Sequence, residues 1–85
     1  MKFSDLQSRD DGHEVFFTAL DGTQKFRIVM SRELLDDECG EAATEAERHA
    51  WVNAHMPGIL DALIARTDGG TIEPPYNRVF VEELD

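Results

Sequence analysis

The feature that most constrains the fold is the stretch HEVFFTALDGTQKFRIVM, which runs from His13 to Met30. Two runs rich in β-branched and aromatic residues flank Asp21-Gly22, a dipeptide typical of the two-residue type I′ hairpin turn. The resulting register places these pairs opposite one another: Leu20 with Thr23, Thr18 with Lys25, Phe16 with Arg27, Ala19 with Gln24, Phe17 with Phe26 and Val15 with Ile28. The sequence therefore predicts an antiparallel hairpin.

The two faces of this hairpin differ in chemistry. One is apolar and is expected to point at the core; it carries Val15, Phe17, Ala19, Phe26 and Ile28. The other mixes apolar and cationic side chains, namely Phe16, Thr18, Leu20, Lys25 and Arg27. We expect this second face to be half solvated, as in an antiparallel sheet that is covered on one side only.

A short helix is predicted directly after the hairpin. Ser31 can cap it by accepting a hydrogen bond from an unpaired backbone N–H group. Gly40 suits the left-handed position that ends many helices, so the helix is expected over Ser31 to Cys39.

A longer helix is predicted next, from Thr44 to Thr67. Thr44 and Glu47 have the S/T-x-x-E spacing of a capping box. Pro57 lacks a backbone donor and clashes with the preceding turn, so we expect a kink or break near Met56.

The tail closes the predicted fold. Val79-Phe80-Val81 indicates a third strand after a turn at Pro74-Pro75. The order strand, strand, helix, helix, strand predicts one α+β domain over residues 1–85, with a three-stranded, mainly antiparallel sheet and two helices packed on one face. We expect the third strand beside the first. Residues 1–12 form an N-terminal segment in which Phe3 either adds a short strand or lies on the core.

Charge narrows the classes of partner. Eight basic and eighteen acidic residues give a net charge of -10, which repels phosphate backbones and anionic membrane surfaces. The N-terminus has no signal-peptide pattern, and no stretch approaches the length of a membrane span. We expect a cytoplasmic protein that binds neither nucleic acid directly nor a membrane.

The residue types that usually carry catalysis or metal binding form no convincing pattern. His49 and His55 are six residues apart on one helix and point in different directions, so they cannot chelate one ion together. Cys39 is surrounded by carboxylates, which raise the pKa of a thiol. We therefore expect no metal, no cofactor and no catalytic residue.

Two surfaces remain as candidate partner sites. One is the acidic run of the first helix, with Glu33, Asp36, Asp37 and Glu38, whose position near a helix C-terminus the helix dipole does not explain. It is either a solvated face or a contact for a basic partner. The other is the mixed hairpin face, which is covered by the chain's own ends, or binds a partner, or forms a homodimer.

The segments VFFTALDGTQKFRIVMS and SRELLDDECG, followed by a helix near Glu45 and a closing strand, resemble the bacterial family known as domain of unknown function 1488. The resemblance covers roughly residues 13 to 82. It implies a short chain with the order strand, strand, short helix, long helix, strand. It implies no particular activity, substrate or catalytic residue.

The preferred interpretation is a non-catalytic protein-interaction or regulatory module of the bacterial cytoplasm. One alternative is an acidic decoy that occupies the nucleic-acid-binding surface of a basic protein. A second alternative is a small enzyme or ligand-binding domain, which a deep pocket with a buried histidine or carboxylate would favour.

Overall fold

The computed structural model describes residues 2–84 and confirms the α+β class. Its five strands are Lys2–Phe3 (β1), Gln7–Arg9 (β2), Glu14–Asp21 (β3), Gln24–Met30 (β4) and Phe80–Leu84 (β5). Its three helices are Arg32–Cys39 (α1), Glu45–Ala54 (α2) and Met56–Asp68 (α3), and a single 3-10 turn covers Tyr76–Arg78. The prediction of three strands and two helices thus underestimates the number of strands and the number of helices.

The strands form one antiparallel sheet in which β4 lies between β3 and β5. The other edge of β3 is taken by β1 and β2, which pair with its two halves. The predicted order, with the closing strand beside the first hairpin strand, is wrong because the N-terminal segment already occupies that edge. Phe3 satisfies both of its predicted alternatives, since it pairs in β1 and its ring meets Phe17 edge-on at 6.0 Å.

The hairpin is confirmed, but its predicted register is wrong by two residues. Asp21 is the last paired residue of β3 and faces Gln24, so the turn is Gly22-Thr23. Gly22 has φ 64° while Thr23 has no positive φ, which is the pattern of a type II′ turn. A shift of two preserves the side of the sheet on which every residue lies. The predicted core face is therefore correct although each predicted pair is not.

The helix ends follow local signals. The Ser31 hydroxyl accepts a hydrogen bond from the Leu34 N–H at 3.2 Å, and the full capping box is present between Thr44 and Glu47. The helix is interrupted at His55, which separates α2 from α3, and Pro57 lies in the first turn of α3. The predicted long helix is thus two helices, because a proline that is excluded from a helix interior fits well at a helix start.

The core lies between the sheet and the helices. Inward residues of β3 and β4, among them Phe17 and Ile28, pack with Leu34 and Leu35 of α1, Val52 of α2, and Ile59 and Leu63 of α3. All three helices therefore lie on the same face of the sheet. In residues 2–84 no helix packs against the opposite face, which we call the outer face.

Candidate functional site

The outer face is built by the alternate residues of five strands. The register places these side chains on it: Lys2, Gln7, Arg9, Glu14, Phe16, Thr18, Leu20, Lys25, Arg27, Val29, Phe80, Glu82 and Leu84. The set includes all five hairpin residues that were predicted as a partner surface. The sequence alone left open whether the chain's own ends cover this face. In the structure both ends add strands beside it.

An apolar row crosses the outer face from β3 to β5. Phe16 pairs with Val29, and Val29 pairs with Phe80, so the three side chains are neighbours on adjacent strands. Val29 is only 2% exposed, whereas Phe80 is 60% exposed. The row is therefore closely packed at its centre and open at the β5 edge.

A second apolar position lies nearer the hairpin turn. Leu20 is 43% exposed and pairs with Lys25, which in turn pairs with Leu84. Exposed apolar side chains that occur singly are ordinary on protein surfaces. Two of the four exposed large apolar side chains of the described residues, Leu20 and Phe80, lie on this face of the sheet, as on a contact surface.

Two arginines flank the phenylalanine at the start of the row. The guanidinium carbons of Arg9 and Arg27 lie 5.3 and 5.7 Å from the centre of the Phe16 ring, within cation–π range. Each arginine also has a carboxylate partner, Glu14 for Arg9 and Glu82 for Arg27, both at 3.1 Å. The hydrogen bond to Glu14 raises the pKa of Arg9. These pairs leave the centre of the face close to neutral.

The charge of the outer face differs from that of the whole chain. Four basic residues (Lys2, Arg9, Lys25 and Arg27) point to it against the two acids Glu14 and Glu82. The chain as a whole has eight basic and eighteen acidic residues. Half of the basic residues thus lie on this face.

The acidic run on α1 divides into paired and unpaired residues. Asp36 accepts a hydrogen bond from Arg48 at 2.8 Å, and Asp37 accepts one from Arg78 at 2.7 Å. These ion pairs explain why two acids lie near the C-terminus of α1 against its dipole. Glu33 and Glu38 are exposed and form no ion pair within residues 2–84. Only part of the predicted acidic surface is thus free for a partner.

Arg48 is the residue that the sequence reasoning missed. Its side chain is fully buried, and besides Asp36 it donates to backbone carbonyls of His13, Gly40, Glu41 and Ala43 at 3.2–3.4 Å. One signal was available, because Arg48 lies four residues before the core residue Val52 and so shares its helix face. The role of Arg48 is structural, because the side chain is fully buried and binds acceptors from three separate segments of the chain.

Cys39, His49 and His55 interact with side chains of the same chain. Burial raises the pKa of the Cys39 thiol, Arg48 opposes this, and Glu38 adds to it. The His55 ring stacks on Trp51 with centroids 4.1 Å apart, and His49 Nε2 lies 2.6 Å from the Ser8 hydroxyl. In residues 2–84 no group of three or more His, Cys, Asp or Glu side chains is placed to hold a metal ion.

The described residues form several open cavities, among them one of about 670 Å³ beside Phe80 and a smaller one of about 250 Å³ beside α3. The smaller cavity is lined by Gly58, Asp61, Ala62, Thr71, Ile72, Glu73 and Tyr76. Both of its carboxylates, Asp61 and Glu73, are exposed. The cavity therefore offers no buried histidine or carboxylate of the kind that would favour an enzyme.

Comparisons of the chain with protein-family models, curated proteins and solved structures each found no match. The resemblance to the domain of unknown function 1488 family thus stays a prediction. Among the described helices none is both long and apolar enough to cross a membrane.

Proposed function

We propose that the protein is a non-catalytic protein-interaction module of the bacterial cytoplasm and that it binds through the outer face of its sheet. One observation carries the proposal. The sheet is covered by helices on one side, while the other side presents an apolar row that ends in the exposed ring of Phe80. Burying a phenylalanine side chain contributes about 1.5–3 kcal/mol, so a partner that covers Phe80 gains most at that position.

The chemistry of the face favours a protein partner over a nucleic acid. A nucleic-acid surface needs cations that are free to meet phosphates. Here Arg9 and Arg27 already pair with carboxylates of this chain. Aromatic and arginine side chains around an apolar centre are the residue types enriched in protein interfaces.

The test is capture of partners from bacterial lysate on three immobilised proteins: the wild type, Phe80→Ser and Ile64→Ser. Ile64 is a matched control because it is 51% exposed, against 60% for Phe80, and lies on α3. We expect a stoichiometric partner to bind the wild type and Ile64→Ser, and binding to Phe80→Ser to fall at least tenfold. Equal capture by all three proteins would contradict the proposal.

The acidic decoy remains a second candidate, favoured by the exposure of Glu33 and Glu38. It would bind a basic protein through charge, so that complex should be lost at moderate salt. A complex at the apolar row should withstand the same wash. Replacing both acids in Glu33→Gln/Glu38→Gln should abolish capture only if the decoy interpretation is correct.

A further inference from the structure

We propose that the free edge of β5 binds an extended segment of a partner protein, which adds to the sheet as a further strand. This inference rests on the proposed function, because it names the form in which a partner covers Phe80. The sheet order is β1-β3-β4-β5, so within residues 2–84 no strand pairs with the second side of β5. β5 is continuous, whereas the opposite edge consists of the two separate short strands β1 and β2.

The strand register identifies the backbone groups of β5 that face this free edge. Gln24 pairs with Asp21 next to the two-residue turn, so the even-numbered residues of β4 hydrogen-bond to β3. The odd-numbered residues of β4 bond to β5 instead, and their partners there are the even-numbered residues of β5. Val81 and Glu83 therefore direct their N–H and C=O groups at the free edge.

These four backbone groups define the class of ligand. Val79, two residues before Val81, belongs to the same register, and its carbonyl accepts a hydrogen bond from Arg66 Nη2 at 2.6 Å. No side chain or loop within residues 2–84 offers such a bond to the edge-facing groups of Val81 or Glu83. An extended peptide backbone has donors and acceptors at the same two-residue spacing, so it can pair with all four groups.

The side chains on the helix side of the edge define the sequence that fits. Val81 packs against the core, Glu83 is exposed, and Arg66 forms no ion pair within residues 2–84. Every pairing in this sheet is antiparallel, and we assign the same direction to the added strand. From its N-terminus, the segment then places a basic residue beside Glu83, an apolar residue beside Val81 and an acidic residue near Arg66.

A cavity of about 670 Å³ beside the start of β5 has room for the apolar and acidic side chains of the segment. Its lining includes Val81 and Arg66, together with Arg78 and Glu33. Arg78 already pairs with Asp37 at 2.7 Å, which leaves Arg66 as the cation available for a carboxylate. Glu33 is the only acid among the residues that line this cavity. Glu33→Gln should therefore strengthen binding of a segment with an acidic residue here.

The outer side of the edge continues the apolar row. Phe16, Val29 and Phe80 lie on adjacent strands, so the residue opposite Phe80 on an added strand is the fourth member of the row. An apolar residue at that position covers the exposed ring of Phe80. The neighbouring position lies opposite Glu82, which already pairs with Arg27, and suits a neutral polar residue. Written from its N-terminus, the segment that fits reads Lys-Thr-Val-Val-Glu.

A second copy of β5 fits this edge poorly. The strand has the sequence FVEEL, with two acids and no basic residue, and each chain has a net charge of -10. Charged side chains on an edge strand oppose pairing between identical edges. The partner is therefore a segment of another protein that supplies the basic residue.

The experiment measures binding of the whole chain to a fluorescent peptide that contains Lys-Thr-Val-Val-Glu between Gly-Ser ends, by fluorescence anisotropy. We expect saturable binding in the micromolar range. N-methylation of the first valine, which pairs with Val81, should weaken binding by about tenfold, because hydrogen bonds between the two backbones are lost. N-methylation of the second valine, whose N–H points away from β5, should change binding by less than about twofold. Exchanging the lysine and the glutamate of the peptide should also weaken binding.

Two variants of the chain test the same edge from the other side. Glu83→Pro removes an edge-facing N–H, whereas the control Glu83→Ala removes only the side chain, and proline is tolerated at such a position. With circular dichroism confirming that both are folded, Glu83→Pro should bind the peptide more weakly than Glu83→Ala.

Absence of peptide binding, or equal effects of the two N-methylated peptides, would overturn the inference. If Phe80-dependent capture from lysate persists in that case, only strand addition is overturned and the outer face stands as the contact surface. Loss of both results overturns the proposed function as well.

Discussion

At residue 48, helix α2 places a guanidinium group in the interior, where an isolated charge is costly. The cost is offset by Asp36 and by backbone carbonyls from the loop before β3 and from the connection between α1 and α2. Arg48 thus joins α1, the loop before β3 and the α1–α2 connection. No other residue among the described hydrogen bonds binds all three segments. Arg48 stabilises the fold because it supplies hydrogen bonds to acceptors that would otherwise lose them.

Replacing Arg48 with methionine should therefore destabilise the fold strongly. Arg48→Met removes the donor of all these hydrogen bonds at once, and we expect a loss of about 3–5 kcal/mol in the free energy of unfolding. Asp36→Asn removes the counter-charge of the fully buried guanidinium but keeps an oxygen that accepts from it, so we expect a smaller loss of about 1.5–3 kcal/mol. Urea unfolding measures both, and an Arg48→Met variant within 1 kcal/mol of the wild type would contradict this role.

Gly58 shows a second residue-scale constraint. A Cβ atom at this position would overlap the ring of Tyr76, with the phenol oxygen only 2.7 Å away. Alanine is favoured over glycine in a helix by about 1 kcal/mol, so the two effects oppose each other.

We expect Gly58→Ala to stabilise the protein by about 1 kcal/mol in a Tyr76→Ser background, and clearly less, or not at all, with Tyr76 present. The coupling is measured by urea unfolding of the four proteins of the cycle. Equal effects in both backgrounds would show that the tyrosine ring does not need the glycine.

At the scale of elements, the features that depend on neighbouring residues were predictable. The Ser31 cap, the capping box at Thr44 and the break before Pro57 each follow from chemistry within one helical turn. The hairpin register was not predictable, because a turn at Asp21-Gly22 and a turn at Gly22-Thr23 both give the glycine a positive φ. Both turns keep the same side chains inward, so the hydrophobic pattern cannot distinguish them.

The capping box of α2 gives a prediction about pH. Hydrogen bonds from the backbone and side chain of Thr44 lower the pKa of Glu47 in the folded state. A lowered folded pKa contributes stability above the unfolded pKa, and that contribution is lost as the pH falls through the lowered value. Glutamine at this position still accepts the bond but does not titrate.

The stability advantage of the wild type over Glu47→Gln should thus be largest at neutral pH and shrink in acid, down to about pH 3. Urea midpoints of both proteins across this range measure the difference. An advantage that stays constant, or grows, as the pH falls would contradict the assignment.

At the scale of the whole molecule, the sequence predicted the α+β class, the inward face and the hairpin, but not which strands pair with the two edges of that hairpin. The N-terminal strands Lys2–Phe3 and Gln7–Arg9 are too short to carry a periodic pattern. Their pairing with β3 is what moves the closing strand to β4. The apolar row through Phe16, Val29 and Phe80 depends on that order, so it could not be predicted from the hairpin alone.

The same limit applies to the acidic run. The sequence predicted that Asp36 and Asp37 lie near the C-terminus of a short helix, and this position is confirmed. Their partners Arg48 and Arg78 are 12 and 41 residues away. Ion pairs over such separations follow from tertiary structure and leave no local pattern.

We propose that this protein meets other proteins through its outer face. The most direct test of this proposal places the photoreactive residue p-benzoylphenylalanine at position 80, or at position 64 as the control, in bacterial cells that produce the chain. Both positions are exposed, at 60% and 51%, so both probes can react with a protein that contacts the surface around them. We predict strong, discrete protein cross-links from position 80 and only weak background from position 64. Equal labelling from the two positions, or none from position 80, would contradict the account.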